Sequence, residues 1–174
     1  AFCDSLETVS APVSLSTIDI GAFMQCSSLT TVDLLESELT IGEDAFFGCS
    51  SLADIQLPEG IVSIGEGAFD ACSTGFTPTC FSTSSVYNQL VASYDNLDVI
   101  YPVSGVTLDK SEVNLLVGQT LNLNATVAPS NATCKDIIWS SNNPEYVSVD
   151  ENGKVTALAG GRATITATTK DNAF

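Results

Sequence analysis

Histidine is absent from all 174 residues. That removes Ser-His-Asp and Cys-His nucleophilic sites, imidazole zinc sites and the commonest general base. Basic residues are scarce too: 5 Lys and Arg stand against 21 Asp and Glu, for a formal net charge of −16, and none precedes Lys110. Residues 1–109 hold fifteen acidic and no basic groups, a net of −15, whereas residues 110–174 hold six acidic and five basic groups, a net of −1. Such a field repels phosphate backbones and anionic lipid heads, because binding either depends on Lys and Arg that displace counterions. Nucleic acid and membrane surface are therefore set aside as partners. The acid excess reads either as a site for cations or a basic partner or, more simply, as a solvated exterior that keeps an exported protein soluble. No apolar run reaches the roughly 18 residues of a membrane span, so no membrane insertion is expected in this segment. The opening AFCDSLETV has neither the basic start nor the apolar stretch of a signal peptide. Any export signal or anchor is expected outside it.

What is present is periodic. Hydrophobic residues make up 44% of the chain, enough for one ordinary domain or two small ones. Cys3, Cys26, Cys49 and Cys72 are each 23 residues apart. The same step relates Leu6, Leu29 and Leu52; Val9, Val32 and Ile55; Ala11, Leu34 and Leu57; Ile18, Ile41 and Ile64; and Phe23, Phe46 and Phe69, each Phe preceded by Ala. Columns in register over three or more rows are the signature of a repeat array. LTTVDL (29–34) and LADIQL (52–57) fit the L-x-x-L-x-L core of a leucine-rich repeat, in which a short strand points alternate side chains inward and successive turns stack into a parallel sheet.

The segment IGEDAFFGCSSLADIQLPEGIVSIGEGAFDAC (41–72) resembles the BspA-like leucine-rich repeats of bacterial and protist surface proteins, whose signature is I-G-x-x-A-F-x-x-C-x-x-L-x-x-I-x-L-P. The resemblance covers residues 3–72. Ile18-Asp19 stands where Ile-Gly is usual and Leu35 where Pro is usual; both affect turns and leave the inward columns intact. At STGFTPTC the period breaks. In SSVYNQLVASYDNLDVIYP (84–102), Ser capping signals precede Val86, Leu90 and Val91 at helical spacing beside Tyr87 and Tyr94. This predicts a short amphipathic helix and then a strand from Asp98 to Tyr101. The pair looks like the cap that such a solenoid needs, because its last row would otherwise expose its apolar columns.

After Pro102 the pattern becomes alternating, with Leu121, Leu123, Ala125 and Val127, then Ala163, Ile165 and Ala167, between turn signals at Gly118, Pro129, Asn143-Pro144 and Asn152-Gly153. Short strands at this spacing suggest a sandwich. The runs at 115–129, 137–141 and 153–167 resemble the group 2 bacterial immunoglobulin-like domain, and the resemblance implies a stalk or adhesive module. Trp139 is expected to fill the core between the two sheets. That family normally follows its T-I-T-A-T-T-x-D segment with one more strand, and here only Asp171 to Phe174 remain. Two accounts fit: the chain is a fragment, or the open ends are completed head-to-tail by neighbouring copies through strand addition. At the other end, Leu6, Val9 and Ile18 are expected to meet water at an open face.

Tests for chemistry favour bland readings. The repeat cysteines Cys3, Cys26, Cys49 and Cys72 are spine residues facing inward, with protonated thiols, although stacked rows bring them within disulfide reach. Cys80 and Cys134 stand outside that ladder, and the sequence leaves open whether Cys80 pairs with Cys72, with Cys134 or with neither. Glu36 and Glu38, Glu43 and Asp44, and Glu59 are turn acids that a glycosidase could in principle use, but no aromatic residues accompany them to hold a sugar. Asp150 to Gly153 reads as a hairpin turn and not as a calcium loop. Asn124 and Asn131 are each followed by Ala-Thr and are candidate N-glycosylation sites, which would make the protein a glycoprotein if its host glycosylates.

The expected fold is mainly β: a leucine-rich-repeat solenoid with a small helical cap over residues 1–102, followed by an immunoglobulin-like β-sandwich over 103–174 that lacks its last strand. The expected function is that of a non-enzymatic extracellular or cell-surface structural and adhesive protein. Its partners would be a protein or glycan ligand met by the repeat sheet or its acidic turns, and further copies of itself in a head-to-tail filament. No catalytic, cofactor or metal residue is assigned. The alternative is a carbohydrate-active enzyme using exposed carboxylates.

Overall fold

A computed structural model describes residues 3–35 and 38–170. The chain divides into two compact units, Ala1–Ile100 and Tyr101–Phe174. The division falls just ahead of Pro102 because Tyr101 belongs to the second unit: its N–H donates to Thr133 Oγ1 (2.8 Å) and its carbonyl accepts from Thr133 N (2.9 Å).

In the first unit each 23-residue turn lays down two short strands. The first turn contributes β1 (Thr8–Ala11) and β2 (Thr17–Ile18), the second β3 (Thr31–Leu34) and β4 (Thr40–Ile41), and the third β5 (Asp54–Gln56) and β6 (Ser63–Ile64). Pairing is parallel and keeps the sequence step, so that Val9 faces Val32, Ala11 faces Leu34, and Ile18, Ile41 and Ile64 line up. A third ladder joins the turns where no strand forms: Phe23 N donates to Ala45 O (2.8 Å), and Phe46 N to Ala68 O (2.8 Å). Turns approach so closely there that a Cβ on Gly42 would sit 2.6 Å from Ile20 N, and one on Gly65 2.3 Å from Glu43 N. That contact explains the Gly of the Ile-Gly dipeptide. The inward columns form one core in which Leu29, Leu52, Ile41, Ile55 and Leu57 are fully buried. The phenylalanines stack along its axis, Phe23 on Phe46 at 5.2 Å and Phe46 on Phe69 at 5.5 Å. Leu6 and Val9 are only partly covered, as expected of the first row, but Ile18 is buried because β4 and its turn close over it.

The period does not end at Cys72. Strand β7 (Thr77–Phe81) pairs with β5 at the same 23-residue step, Asp54 with Thr77, Ile55 with Pro78 and Gln56 with Thr79. Pro78 and Cys80 therefore replace aliphatics in the columns of Ile55 and Leu57, and Phe76 extends the aromatic stack from Phe69 at 5.3 Å. Helix α1 (Tyr87–Ser93) and strand β8 (Asp98–Ile100) follow, with β8 parallel to β7. Val86 and Leu90 are buried, but Val91 is exposed, since only the i, i+4 pair can share the inward face. The serines do not cap the helix as expected. Its N-cap is Val86, with no side-chain bond, and Ser85 Oγ instead donates to the carbonyls of Ile61 (2.6 Å) and Val62 (3.0 Å). Gln89 Nε2 likewise donates to Ile64 O at 3.0 Å. In the turns before, the equivalent carbonyls of Ile18 and Ile41 accept from Gly42 N and Gly65 N. The cap thus ends the ladder by offering side-chain donors where a further turn would offer backbone. Asn96 Nδ2 serves the carbonyl of Phe76 in the same way, at 2.8 Å.

The second unit is antiparallel throughout. Its strands are β9 (Gly105–Leu108), β10 (Thr120–Asn122), β11 (Ala125–Ala128), β12 (Ile137–Ser141), β13 (Val147–Val149), β14 (Lys154–Ala157) and β15 (Ile165–Thr169). They pair as β9 with β11, β10 and β13 on either side of β14, and β12 with β15. The alternation expected from sequence is present, but burial is shallower than in the repeats. Leu123, Val155 and Ala157 are buried, whereas Leu121, Val127, Ile165 and Ala167 are half-buried. Trp139 is also half-buried and does not fill a closed core as expected. Its ring lies over the β13–β14 hairpin, where a Cβ on Gly153 would come within 2.8 Å of Cζ2. Asp150 Oδ1 accepts from Asn152 N and Lys154 N, both at 2.9 Å, so that acid organises the turn. The missing final strand concerns Asp171 to Phe174, which lie outside the described residues.

Candidate functional site

The outward side chains of the parallel strands follow the 23-residue step in two columns, carried by two separate hydrogen-bonded sheets, β1-β3 and β5-β7-β8. Thr8, Thr31, Asp54 and Thr77 make one, and Ser10, Asp33, Gln56, Thr79 and Asp98 the other. They face out because their neighbours Val9, Val32, Ile55, Pro78 and Cys80 face in, the period-2 consequence of a strand with one buried side. Within each sheet, rows lie roughly 4.8 Å apart, the usual spacing of paired strands. Every residue in the two columns is polar, most are short, and none is cationic. Ser10 Oγ donates to Asp33 Oδ2 at 3.2 Å. A shallow groove beside the second column is lined by Ser10, Val32, Asp33, Leu34, Leu35 and Gln56, with Leu35 half exposed. A second cleft, between the third turn and the cap, is lined in part by Glu66, Asp70, Gln89, Ser93 and Tyr94. There burial, with Asp70 and Cys72 behind it, pushes the Tyr94 hydroxyl up to about 12, so it stays protonated.

The carboxylates weighed for glycoside hydrolysis do not gather. Glu38, Glu43, Asp44 and Glu59 line neither cleft. Glu59 is occupied by the hydroxyl of Thr83 at 2.7 Å, and Glu36 lies outside the described residues. Among the described residues, no group of three or more His, Cys, Asp or Glu could hold a metal ion.

The cysteine column is inward in its middle and open at its start. Cys26 and Cys49 are buried, Cys72 is half-buried and Cys3 is exposed. Cys3 departs from the expectation because it opens the first turn, where half the inward column is uncovered. Cys49 Sγ donates to Phe23 O at 3.1 Å and Cys72 Sγ to Phe46 O at 3.4 Å. Burial pushes the Cys49 thiol up to about 11 and that of Cys72 to about 12, and it raises Cys26 and Cys80 as well. These are structural thiols, not nucleophiles. Among the described residues no disulfide joins the cysteines, so the structure holds no bridge from Cys80 to Cys72 or to Cys134. Cys80 is fully buried in the Leu57 column, where it packs as a small apolar side chain.

Both units match known families over their length. Residues 1–98 match the BspA type leucine rich repeat region, in six copies, and residues 102–174 match the bacterial Ig-like domain (group 2). The chain belongs to the BspA type leucine rich repeat family. Both of the domain types it contains are non-catalytic and typical of surface or extracellular proteins, and among the described residues no helix is long and apolar enough to cross a membrane. An uncharacterized protein of Clostridium acetobutylicum is 45% identical over 86 residues, 49% of this chain and 22% of that protein. A 3-O-alpha-D-galactosyl-alpha-L-arabinofuranosidase of Bifidobacterium longum subsp. longum is 42% identical over 77 residues, 41% of this chain and 7% of the enzyme. An Ig-like virion protein of Serratia phage KSP90 is 38% identical over 73 residues, 41% of this chain and 28% of that protein. The chain therefore spans less than a third of each, and glycosidases of this kind share only an accessory region with it.

The two sequon asparagines of this BspA-type chain differ in setting. Asn131 lies exposed on a turn. Asn124 is exposed too, but its N–H and Nδ2 both donate to Asp109, at 3.0 and 2.8 Å. The sequence did not reveal that contact, because Asp109 is fifteen residues away, just past the end of β9. Nor did it single out the polar columns as such, although they sit one position from each conspicuous hydrophobic column.

Proposed function

We propose that this chain is a non-enzymatic module of an extracellular or cell-surface protein, in which the repeat sheet meets a protein or glycan ligand and the Ig-like unit acts as stalk. The observation that carries this reading is the sheet face itself. Two columns of mostly short polar side chains stand on a closed core, and Glu38, Glu43, Asp44 and Glu59 line neither of the two clefts. A binding screen of the purified chain against surface and matrix proteins and against a glycan array tests it, with Thr31→Arg and Gln56→Arg as variants that block the face. Binding lost in both variants is the expected result. Hydrolysis of any glycan, abolished by changing Glu43, Asp44 or Glu59 singly, would overturn it in favour of the carbohydrate-active alternative.

A second reading is head-to-tail self-association by strand addition. It draws support from the half-buried inner residues Val127, Trp139, Ile165 and Ala167, and from β15, which among the described residues is bonded to a strand on one side only. Sedimentation velocity at rising concentration is expected to show oligomers without a fixed upper size. A chain that stays monomeric at millimolar concentration rules this out.

A further inference from the structure

We infer that the outward face of the repeat sheet takes a protein segment bearing Lys or Arg. The inference rests on the reading of that face as the ligand surface and names the chemistry of what it binds. Asp33, Asp54 and Asp98 stand on that face in three different rows, exposed and separated by Thr, Ser and Gln. No cation of the repeat unit neutralises them, because residues 1–109 contain no Lys or Arg. The ion pairs among the described residues, Lys110–Asp109 and Lys170–Asp136, involve only side chains of the second unit. The short side chains let an incoming segment lie close to the sheet.

The groove beside Asp33 has a composition suited to one kind of side chain. Ser10, Asp33 and Gln56 line it with polar groups, and Val32, Leu34 and Leu35 with aliphatic ones. Lys and Arg join an apolar stem to a charged head, so the stem can cover Leu34 and Leu35 while the head meets the Asp33 carboxylate. An acidic segment, or an anionic glycan, would meet like charge at Asp33, Asp54 and Asp98. A neutral glycan would gain nothing from the three aspartates.

Charge on the whole unit would attract any polycation, so the test must separate the face from the field. A fluorescent peptide of alternating Ala and Lys, and its Ala-Glu counterpart, are titrated against the full chain at about 0.1 M salt, where interactions beyond roughly 10 Å are screened. Two triple variants of equal net charge are compared: Asp33→Asn, Asp54→Asn, Asp98→Asn on the face, and Glu43→Gln, Glu59→Gln, Glu66→Gln on the turns. Circular dichroism confirms that both remain folded. The expected result is binding of the Lys peptide alone, weakened at least tenfold by the face triple and less than twofold by the turn triple. Leu35→Ser is expected to weaken it about threefold without changing its salt dependence. Equal weakening by both triples, or no binding of the Lys peptide, overturns the inference. A neutral glycan whose binding is lost in Thr31→Arg but kept in the face triple would also overturn it while leaving the ligand-surface reading intact. If no ligand of any class is sensitive to Thr31→Arg, that reading itself fails.

Discussion

The two units solve the same problem of burial with different geometry. In the repeat unit, strands of two to five residues bury most of their inner side chains, because the turns stack on equivalent ones. In the Ig-like unit, strands of up to five residues leave Trp139, Val127 and Ile165 half-buried. Their cover must come from a facing sheet whose members are distant in sequence. Stacking makes burial a nearest-neighbour property, whereas a sandwich closes only when both of its sheets are complete.

Four measurements break or sharpen that contrast. The largest effect is expected from truncating the aromatic column. Phe46 is fully buried between Phe23 and Phe69, so Phe46→Ala should cost about 3–5 kcal/mol, while Val127→Ala in the half-open sandwich should cost only about 1 kcal/mol. Urea titrations followed by circular dichroism, and by the fluorescence of Trp139, the single Trp of the chain, compare them. Similar losses in the two variants would erase the contrast.

Close approach of the turns comes next. Gly65→Ala drives a methyl into Glu43 N and should cost about 1–3 kcal/mol, whereas Gly160, with open space around it, should accept Ala with a change under about 0.5 kcal/mol. Thermal unfolding of the two variants reads the difference directly. A smaller loss, about 1 kcal/mol, is expected for Gln89→Ala, which leaves Ile64 O without its side-chain donor. Amide exchange in the third turn should quicken in that variant, and an unchanged rate would mean that α1 closes the solenoid through Leu90 alone.

The subtlest contrast is in pH dependence. Burial raises the Cys49 thiol from 9.0 to about 11, so its contribution is intact below pH 9 and is lost as the pH climbs toward 11. Asp109 moves the other way. Its bonds from Lys110, and then from Asn124, hold the carboxyl well below its ordinary 3.8, so its contribution is intact above that value and fades as the pH falls through the acid range. The effect is small, because the site is exposed and screened. Melting curves across pH should therefore show the repeat unit weakening first in alkali, and Asp109→Asn should flatten the acid limb of the Ig-like unit. Alkylation at neutral pH provides a parallel check, with Cys3 modified quickly and Cys49 protected. The bond from Cys49 Sγ to Phe23 O also gives the hydroxyl of Cys49→Ser an acceptor, which limits the cost of that change to about 1 kcal/mol.

Much of the repeat architecture was legible because a fixed step repeats the same choice in every row. Leu, Ile, Phe and Cys at intervals of 23 mark what faces in, and the alternation beside them marks what faces out. Where the chain departs from the period, the reading failed in specific places. Pro78 and Cys80 hid a further strand. Leu39 is buried although the positions one period from the neighbouring core residues Leu15 and Ile61 converge on Glu38. Serines that look like helix caps proved to be terminators of the ladder. On the candidate site, the acid excess was visible at once, but the placement of Asp33, Asp54 and Asp98 on the strand face, with a groove partly lined by leucines beside Asp33, was not.

The sequence by itself determined the 23-residue step, the identity of the inward columns, the change to alternating strands after Pro102 and the one-signed charge of the first half. These follow from local periodicity and composition, which do not depend on what lies across the core. Only the tertiary structure decided that Ser85 and Gln89 end the ladder, that Phe76 and Tyr94 close the aromatic column at 5.3 and 6.0 Å, and that Trp139 rests over Gly153. Each of these depends on which carbonyl, ring face or space the preceding element leaves unfilled, and that is settled when the turns stack, not along the chain.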